Sequence, residues 1–287
     1  MFVDLHAHSL ASDGTDSPAE LIRKAHLAGL SAIALTDHDT TAGLAEAAAE
    51  ARRLGVDFLP GIEISATYPR PGVMHLLGYG FDPDHPAIRK LTDDLQSSRV
   101  ERNRFLIEQL NAVGVRIDEE ELNAVAGNIG VVGRPHFAKL MALKGYVPHP
   151  QAAFRHYLGN DGRFRFDRYE PTPSEAIAAV HAAGGLVSAA HPMQWRKENF
   201  AQLAHALKSL ADLGLDAVEV LHSDHRDSLV AELETLADRY GLLKTGGSDY
   251  HGGIKSWITL GRAGERRRVP REYYERLIAS LDERAAA

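Results

Sequence analysis

Apolar and polar positions along the chain follow two periods. Residues 2–10 alternate as a short strand, with Val3, Leu5 and Ala7 on one face and Asp4, His6 and His8 on the other. Ser17-Pro18 then opens a helix at its N-cap and first position, and the spacing of Leu21, Ile22, Ala25 and Leu27 carries it to Gly29. A strand is predicted over 32–36, running into Asp37-His38-Asp39. Thr40 or Thr41 would cap an Ala-rich helix that reaches Leu54 and stops at Gly55. Strands over 58–67 and 73–80 follow as a hairpin-like return, and they contain Glu63 and His75.

For about ninety residues the strand rhythm then stops. Helical spacing covers 86–112, 118–126, 135–144 and 151–158, joined by Gly-rich turns. Alternation resumes with a helix over 174–183 and a strand over 186–190 ending in His191-Pro192. A helix over 200–213, a strand over 217–222, a helix over 227–240 and a strand over 242–246 follow, the last ending in Gly247-Ser248-Asp249-Tyr250-His251. A final amphipathic helix runs from 270 onward. The expected organisation is a barrel domain over 1–85 and 170–287 with an inserted helical subdomain over 86–169. Seven strands separated mostly by helices fit a closed parallel barrel or an open doubly wound sheet. Polar placement favours the barrel, because His8, His38, His191, His222 and Asp249 all fall at strand C-terminal ends, where barrel enzymes assemble their sites.

Composition narrows the chemistry. The chain has 287 residues, enough for one large α/β domain, and no cysteine, so a metal site must use its His, Asp and Glu. No run of about 18 apolar residues and no leader-like start occurs, so a cytoplasmic protein without membrane contact is expected. A net charge of −7 argues against a nucleic-acid coat protein, yet residues 89–168 alone carry a surplus of +3. An acidic, metal-capable body with a basic middle suits an anionic substrate held from two sides.

Nine side chains form the candidate constellation: His6, His8, Asp13, His38, Glu63, His75, His191, Asp249 and His251. Each alone has a plain structural reading as a turn, a cap, a buried ion-pair partner or a polar loop. Together they sit at the same end of successive strands. Burying so many ionisable groups uncompensated costs several kcal/mol apiece, and metal coordination is the usual relief. Two or three divalent ions would use the set. Its lack of sulfur suits Mn²⁺, Zn²⁺ or Fe²⁺, with Mn²⁺ the first expectation, although spacing does not choose among them. Such centres generate hydroxide at neutral pH and neutralise oxyanions, as phosphoester hydrolysis requires.

His6-Ala7-His8-Ser9 with Asp13-Gly14, Thr36-Asp37-His38-Asp39, Gly61-Ile62-Glu63, His75, His191-Pro192 and Ser248-Asp249-Tyr250-His251 resemble the ordered motifs of the PHP (polymerase and histidinol phosphatase) superfamily. The resemblance implies a distorted (β/α)₇ barrel, a trinuclear metal centre and phosphoesterase activity. Carried onto this chain, it implies one metal on His6, His8, Glu63 and Asp249, a second on Glu63, His75 and His191, and a third on Asp13, His38 and His251. A metal-bridging hydroxide would attack phosphorus in line. Catalytic roles fall to Asp249 and His191, while the proton for the leaving oxygen could come from His191, His222 or metal-bound water. Over its whole length the chain is similar to the bacterial nucleoside bisphosphate phosphatase branch. That branch implies removal of the 3′-phosphate from nucleoside 3′,5′-bisphosphates, with 5′-to-3′ digestion of short 5′-phosphorylated RNA as the alternative. Histidinol phosphate hydrolysis and a non-catalytic metal-stabilised module are weaker readings, and no obligate protein partner is evident.

The helical segment supplies the substrate-binding candidates. On its long helix Leu91, Leu95, Arg99, Arg102, Leu106 and Leu110 lie within an arc of about 100°. Arg99 and Arg102 therefore share the apolar stripe, paired with a carboxylate or aimed at a ligand anion, whereas Arg104 faces solvent. Gly133-Arg134-Pro135-His136 opens another helix, as a phosphate site or as a local cap. With the family reading, Arg99, Arg102, Arg134 and His136, assisted by Lys139, are expected to clamp the phosphate distant from the metals. Arg163, Arg165 and Arg168 alternate with Phe164 and Phe166. A solvated edge packed by the two Phe is expected there over a nucleobase-stacking strip.

Overall fold

Short, almost wholly buried strands build one sheet in the computed structural model, which describes residues 1–68, 74–127, 132–159, 162–164, 166, 168–195, 197–264 and 267–286. In chain order they are β1 (Phe2–Asp4), β2 (Leu30–Leu35), β3 (Asp57–Ala66), β4 (Met74–Tyr79), β5 (Leu186–Ala189), β6 (Ala217–Leu221), β7 (Leu243–Gly246) and β8 (Val269–Pro270). They pair in the order β7-β6-β5-β4-β3-β2-β1-β8. Pairing is parallel from β1 to β3 and from β5 to β7, while β4 runs antiparallel to both neighbours. The expected hairpin-like return is thus present, and it is where the barrel departs from an all-parallel one.

Beyond the ends of β1 and β7 the two chains close the ring. Leu5 N–H donates to Gly246 O at 3.1 Å, Asp249 N–H to His6 O at 2.9 Å, and His8 N–H to Tyr250 O at 2.9 Å. Gly247 is required at this seam, because a Cβ there would collide with the Cβ and backbone nitrogen of His6. The eighth strand was not foreseen. It is two residues long, contains Pro270, and pairs antiparallel with the start of β1, so no periodicity announces it.

The helices are α1 (Pro18–Leu27), α2 (Leu44–Leu54), α3 (Pro86–Ala112), α4 (Glu119–Val125), α5 (Arg134–Leu143), α6 (Pro150–Ala153), α7 (Pro173–Ala182), α8 (Phe200–Asp212), α9 (Asp227–Tyr240) and α10 (Arg271–Ala286). Ser17 caps α1 as expected, within a reciprocal box with Glu20. Neither Thr40 nor Thr41 caps α2. Its N-cap is Gly43 without a side-chain bond, because the Thr40 hydroxyl is spent accepting from Ala42 N–H at 3.2 Å. The helix expected over 151–158 is α6 followed by a π-helical turn, Phe154–Leu158. Among the described residues no helix is long and apolar enough to cross a membrane.

Two apolar clusters result. The larger fills the barrel and its helical coat; fully buried side chains such as Leu5, Ile33, Ile62, Leu76 and Leu77 each contribute about 1.5–3 kcal/mol by leaving water. The smaller joins the far half of α3 to α4, α5, α6 and Phe164. Helix α3 spans both: Ile88, Leu91 and Leu95 belong to the first cluster, and Leu106 and Leu110 to the second. Between Leu95 and Leu106, on the same buried stripe, stand Ser98, Arg99 and Arg102.

Candidate metal centre and phosphate clamp

Three carboxylates near the predicted ligands turn out to be staples. Asp4 does not project with His6 and His8 into the site. It accepts four hydrogen bonds, from Ser248 N–H (3.0 Å), Ser248 Oγ (2.6 Å), Gly261 N–H (2.7 Å) and His6 N–H (3.2 Å), locking the seam. Asp37 accepts from Ser9 N–H at 2.8 Å, Ser9 Oγ at 2.7 Å and Ser12 Oγ at 2.6 Å, so it shapes the turn that carries Asp13. Asp39 accepts from Ser65 N–H at 2.8 Å and Ser65 Oγ at 3.0 Å. Only three described non-glycine residues have left-handed backbone, Asp39 (φ 56°), His191 (φ 25°) and Asp249 (φ 57°), and all three lie at this end of the barrel. Strain concentrated there is the pattern of a functional site.

All nine predicted ligands come together. Glu63 is the hub: Oε1 lies 2.7 Å from His75 Nδ1 and 2.8 Å from His191 Nε2, while Oε2 lies 3.1 Å from His8 Nε2, 3.1 Å from His38 Nδ1 and 3.4 Å from His6 Nε2. Asp249 Oδ1 is 3.3 Å from His8 Nε2, 3.4 Å from His251 Nδ1 and 3.6 Å from His6 Nε2. Asp13 meets His251 Nε2 at 3.2 Å, His8 Nδ1 at 3.8 Å and His38 Nε2 at 4.0 Å. Groups with donor atoms close enough to share one ion are His6–His8–Glu63–Asp249, His38–Glu63–His75, His8–Asp13–His38–His251 and His6–Glu219–His222. His38 and His75, at 16% and 17% exposure, are the least buried and mark the mouth.

The donor set fits divalent cations. His6 Nε2, both ring nitrogens of His8, His38 Nδ1, Glu63 Oε2 and His191 Nδ1 are buried without a hydrogen-bond partner. Orphaned polar atoms each cost about 1–3 kcal/mol, so a cluster of them facing one another calls for a cation. Protonation alone divides the set against itself. Burial pushes the His8 imidazole down, but Asp249 and Glu63 outweigh it and hold it up at about 9. Burial takes His38 down to about 3 despite Glu63 and Asp13.

Sequence reading missed Glu219. Its Oε1 lies 3.0 Å from His6 Nδ1 and its Oε2 accepts from His191 N–H at 2.7 Å, so one carboxylate orients two candidate ligands. The signal was available, since Glu219 is a charged residue inside a strand otherwise wholly apolar and buried. Burial pushes Glu219 up, yet the charges of His6 and His222 hold it at about 2. Lys255 was missed too, and its Nζ sits 2.6 Å from Asp249 Oδ2.

Beside this centre lies a guanidinium cluster. Arg99 Nε donates to Asp39 Oδ2 at 2.7 Å and Arg168 NH1 to the same oxygen at 3.3 Å. Arg168, expected on a solvated edge, is therefore part of this cluster. Arg102 is buried, its guanidinium donating to Asn103 Oδ1 at 2.9 Å and Val132 O at 3.2 Å. Burial, then repulsion from Arg99, Arg168 and Arg134, pulls Arg102 well below the usual arginine range. Arg134 NH1 donates to Leu158 O at 3.2 Å. His136 Nδ1 accepts from Gly133 N–H at 2.9 Å, the local cap, leaving Nε2 for any other partner. Asp13 acts electrostatically on His136, and Lys139 is half-buried on the same helix. Phe164 is buried in the second cluster and Phe166 packs 5.3 Å from the Phe105 ring, so both serve packing. Arg165 lies outside the described residues.

The PHP domain family model matches residues 4–129. A 5′-3′ exoribonuclease of Haemophilus influenzae is 34% identical over 269 residues, covering 90% of this chain and 93% of its own. A 3′,5′-nucleoside bisphosphate phosphatase of Chromobacterium violaceum is 32% identical over 249 residues, 87% of each chain. The solved structure of a protein described as a metal-dependent phosphoesterase of Bifidobacterium adolescentis superposes with a TM-score of 0.85 at 30% identity, over 96% of this chain and 95% of that one.

Proposed function

The chain belongs to the PHP domain family and is a hydrolase of phosphate esters, and from that premise we propose that it removes the 3′-phosphate from nucleoside 3′,5′-bisphosphates. The reading rests on one observation. Asp39 follows His38 directly, so the guanidiniums bonded to Asp39 lie beside the imidazole–carboxylate centre. Arg99 and Arg168 share Asp39, Arg168 also meets Glu170 Oε1 at 3.1 Å, and the buried Arg102 beside them bonds, among the described residues, only the neutral oxygens of Asn103 and Val132. That imbalance is relieved by an anion, and a substrate with two phosphates has one to spare. Histidinol phosphate, with one phosphate, would leave the cluster unused.

His6, His8, Glu63 and Asp249 would hold one ion, Glu63, His75 and His191 a second, and Asp13, His38 and His251 a third. Divalent ions of the Mn²⁺ class held there would supply activated water and neutralise the phosphoryl oxygens. The chain's residues do the rest. Residues 86–169 act as the substrate-binding unit, with Arg99, Arg102, Arg134, His136 and Lys139 holding the 5′-phosphate. Glu219 fixes His6 with its Nδ1 turned away from the ions. His222 Nδ1 accepts from Asp224 N–H at 3.1 Å, so its proton rides on Nε2, 3.6 Å from Asp249 Oδ2. In this reading that Nε2 proton passes to the departing 3′ oxygen.

The test is phosphate release from 3′-AMP, 5′-AMP, adenosine 3′,5′-bisphosphate and a short 5′-phosphorylated RNA, each with Mn²⁺ and with chelator. The bisphosphate should be the best phosphate donor, and chelation should abolish release. Equal turnover of 3′-AMP and the bisphosphate would remove the second phosphate site.

A further inference from the structure

Ser223, Asp224, Trp257 and Thr259 are among the residues that line a cavity of ≈ 530 Å³. Its volume suits one nucleoside. Both walls issue from the metal end of the barrel. Ser223 and Asp224 follow His222, whose Nε2 is 3.6 Å from Asp249 Oδ2, and Trp257 stands two residues beyond Lys255, whose Nζ is 2.6 Å from the same oxygen. The cavity therefore lies at the ends of β6 and β7, whereas the arginine cluster hangs on Asp39 at the end of β2. Trp257 is 69% exposed, and Asp224 is exposed as well.

We infer that this cavity is a subsite for the nucleotide downstream of the scissile phosphate, with Trp257 stacking its base and Asp224 accepting from its ribose hydroxyls. The inference rests on the bisphosphate reading above. In that reaction the oxygen of water bonds to phosphorus, the P–O3′ bond breaks, and the 3′ oxygen gains a proton. A nucleoside 5′-monophosphate leaves. The other product is inorganic phosphate from a bisphosphate, or a strand with a new 5′-phosphate from RNA. The two substrates are alike up to the phosphorus and differ only in what is esterified beyond it. Whatever distinguishes them must contact the far side of the centre. An aromatic face there accepts any base, and Asp224 offers its carboxylate to ribose hydroxyls beside Arg262, which also lines the cavity.

The test compares kcat/KM of the full-length Mn²⁺-loaded wild type, W257A and W257F on adenosine 3′,5′-bisphosphate and on 5′-phosphorylated diadenylate. Loss of one base–aromatic stack should lower the dinucleotide-to-bisphosphate ratio about tenfold in W257A, through KM, with most of the ratio restored in W257F. An unchanged ratio in W257A overturns the subsite. Wild type that cleaves the bisphosphate but not the dinucleotide overturns the subsite while leaving the phosphatase reading in place. Wild type that cleaves neither removes both.

Discussion

Asp39 and Arg99 tie the barrel to the long helix, with Arg99 Nε donating to Asp39 Oδ2 at 2.7 Å while Arg168 reaches the same oxygen at 3.3 Å. Asp39 is fully buried, so losing its charge strands the Arg99 guanidinium, while Arg168 keeps Glu170 at 3.1 Å; removing one partner of a buried pair costs about 3–5 kcal/mol. D39N should lose on that order of stability at neutral pH. The dependence on pH has a definite sign. Burial pushes Asp39 up, but Arg99 and Arg168 hold it well below its ordinary 3.8. A carboxylate depressed in the folded state stabilises above its unfolded pKa and loses that contribution as pH falls. Urea unfolding should give a constant gap between wild type and D39N from about pH 5 to 8, narrowing below about pH 4. Equal stability at neutral pH would show the pair to be neutral.

Glu219 makes a second prediction. It bonds His6 Nδ1 at 3.0 Å and the His191 backbone at 2.7 Å without being among the nine expected ligands. E219Q keeps the shape but offers His6 a weaker acceptor. Carboxylates that orient a ligating imidazole are worth about 10–100-fold in metal affinity. After dialysis against a weak chelator, E219Q should retain less metal per chain than wild type, with folding intact by circular dichroism. Full metal retention would assign Glu219 to packing alone.

How far each feature was legible depended on whether local pattern or long-range contact decides it. Helix α3 was readable to the residue, Pro86–Ala112, because one apolar period persists through it. That Arg99 and Arg102 share this stripe was also readable. Why they do became visible only with the two apolar clusters, since the arginines occupy the gap where α3 passes from one core to the other. The ring of nine His, Asp and Glu was legible because barrel strands bring their C-terminal ends to one place. Asp4 was misread because strand alternation placed it with His6 and His8, whereas Ser248 and Gly261, some 250 residues away, claim its oxygens. Strand β8 has two residues and leaves no period to read.

His222 offers a test by leaving group. With Nδ1 accepting from Asp224 N–H, Nε2 carries the proton, and a proton donor to a leaving alkoxide is worth about 10²–10⁴ in rate. H222N should therefore slow hydrolysis of the bisphosphate by at least about a hundredfold. A nitrophenyl phosphate, whose phenolate departs without a proton, should lose far less. Parallel losses on both esters would mean that His222 acts through Asp249 instead.

Arg134 decides whether the cluster reads the second phosphate. It opens α5 beside Gly133 and His136, is half-buried, and repels the buried Arg102. A guanidinium on a phosphate is worth about 1.5–3 kcal/mol, or roughly 10–100-fold in binding. Removing it costs the Leu158 carbonyl a donor and relieves Arg102 of one repulsive neighbour, so circular dichroism and thermal unfolding of R134A accompany the kinetics. Its KM for adenosine 3′,5′-bisphosphate should rise by roughly 10–100-fold while kcat changes little. For 3′-AMP, which has no 5′-phosphate, KM should barely move. The contrast is specific because a distorted metal centre would harm both substrates, and a loosened helical unit would lower thermal stability. Equal rises for the two nucleotides would break the link between the arginines and the 5′-phosphate.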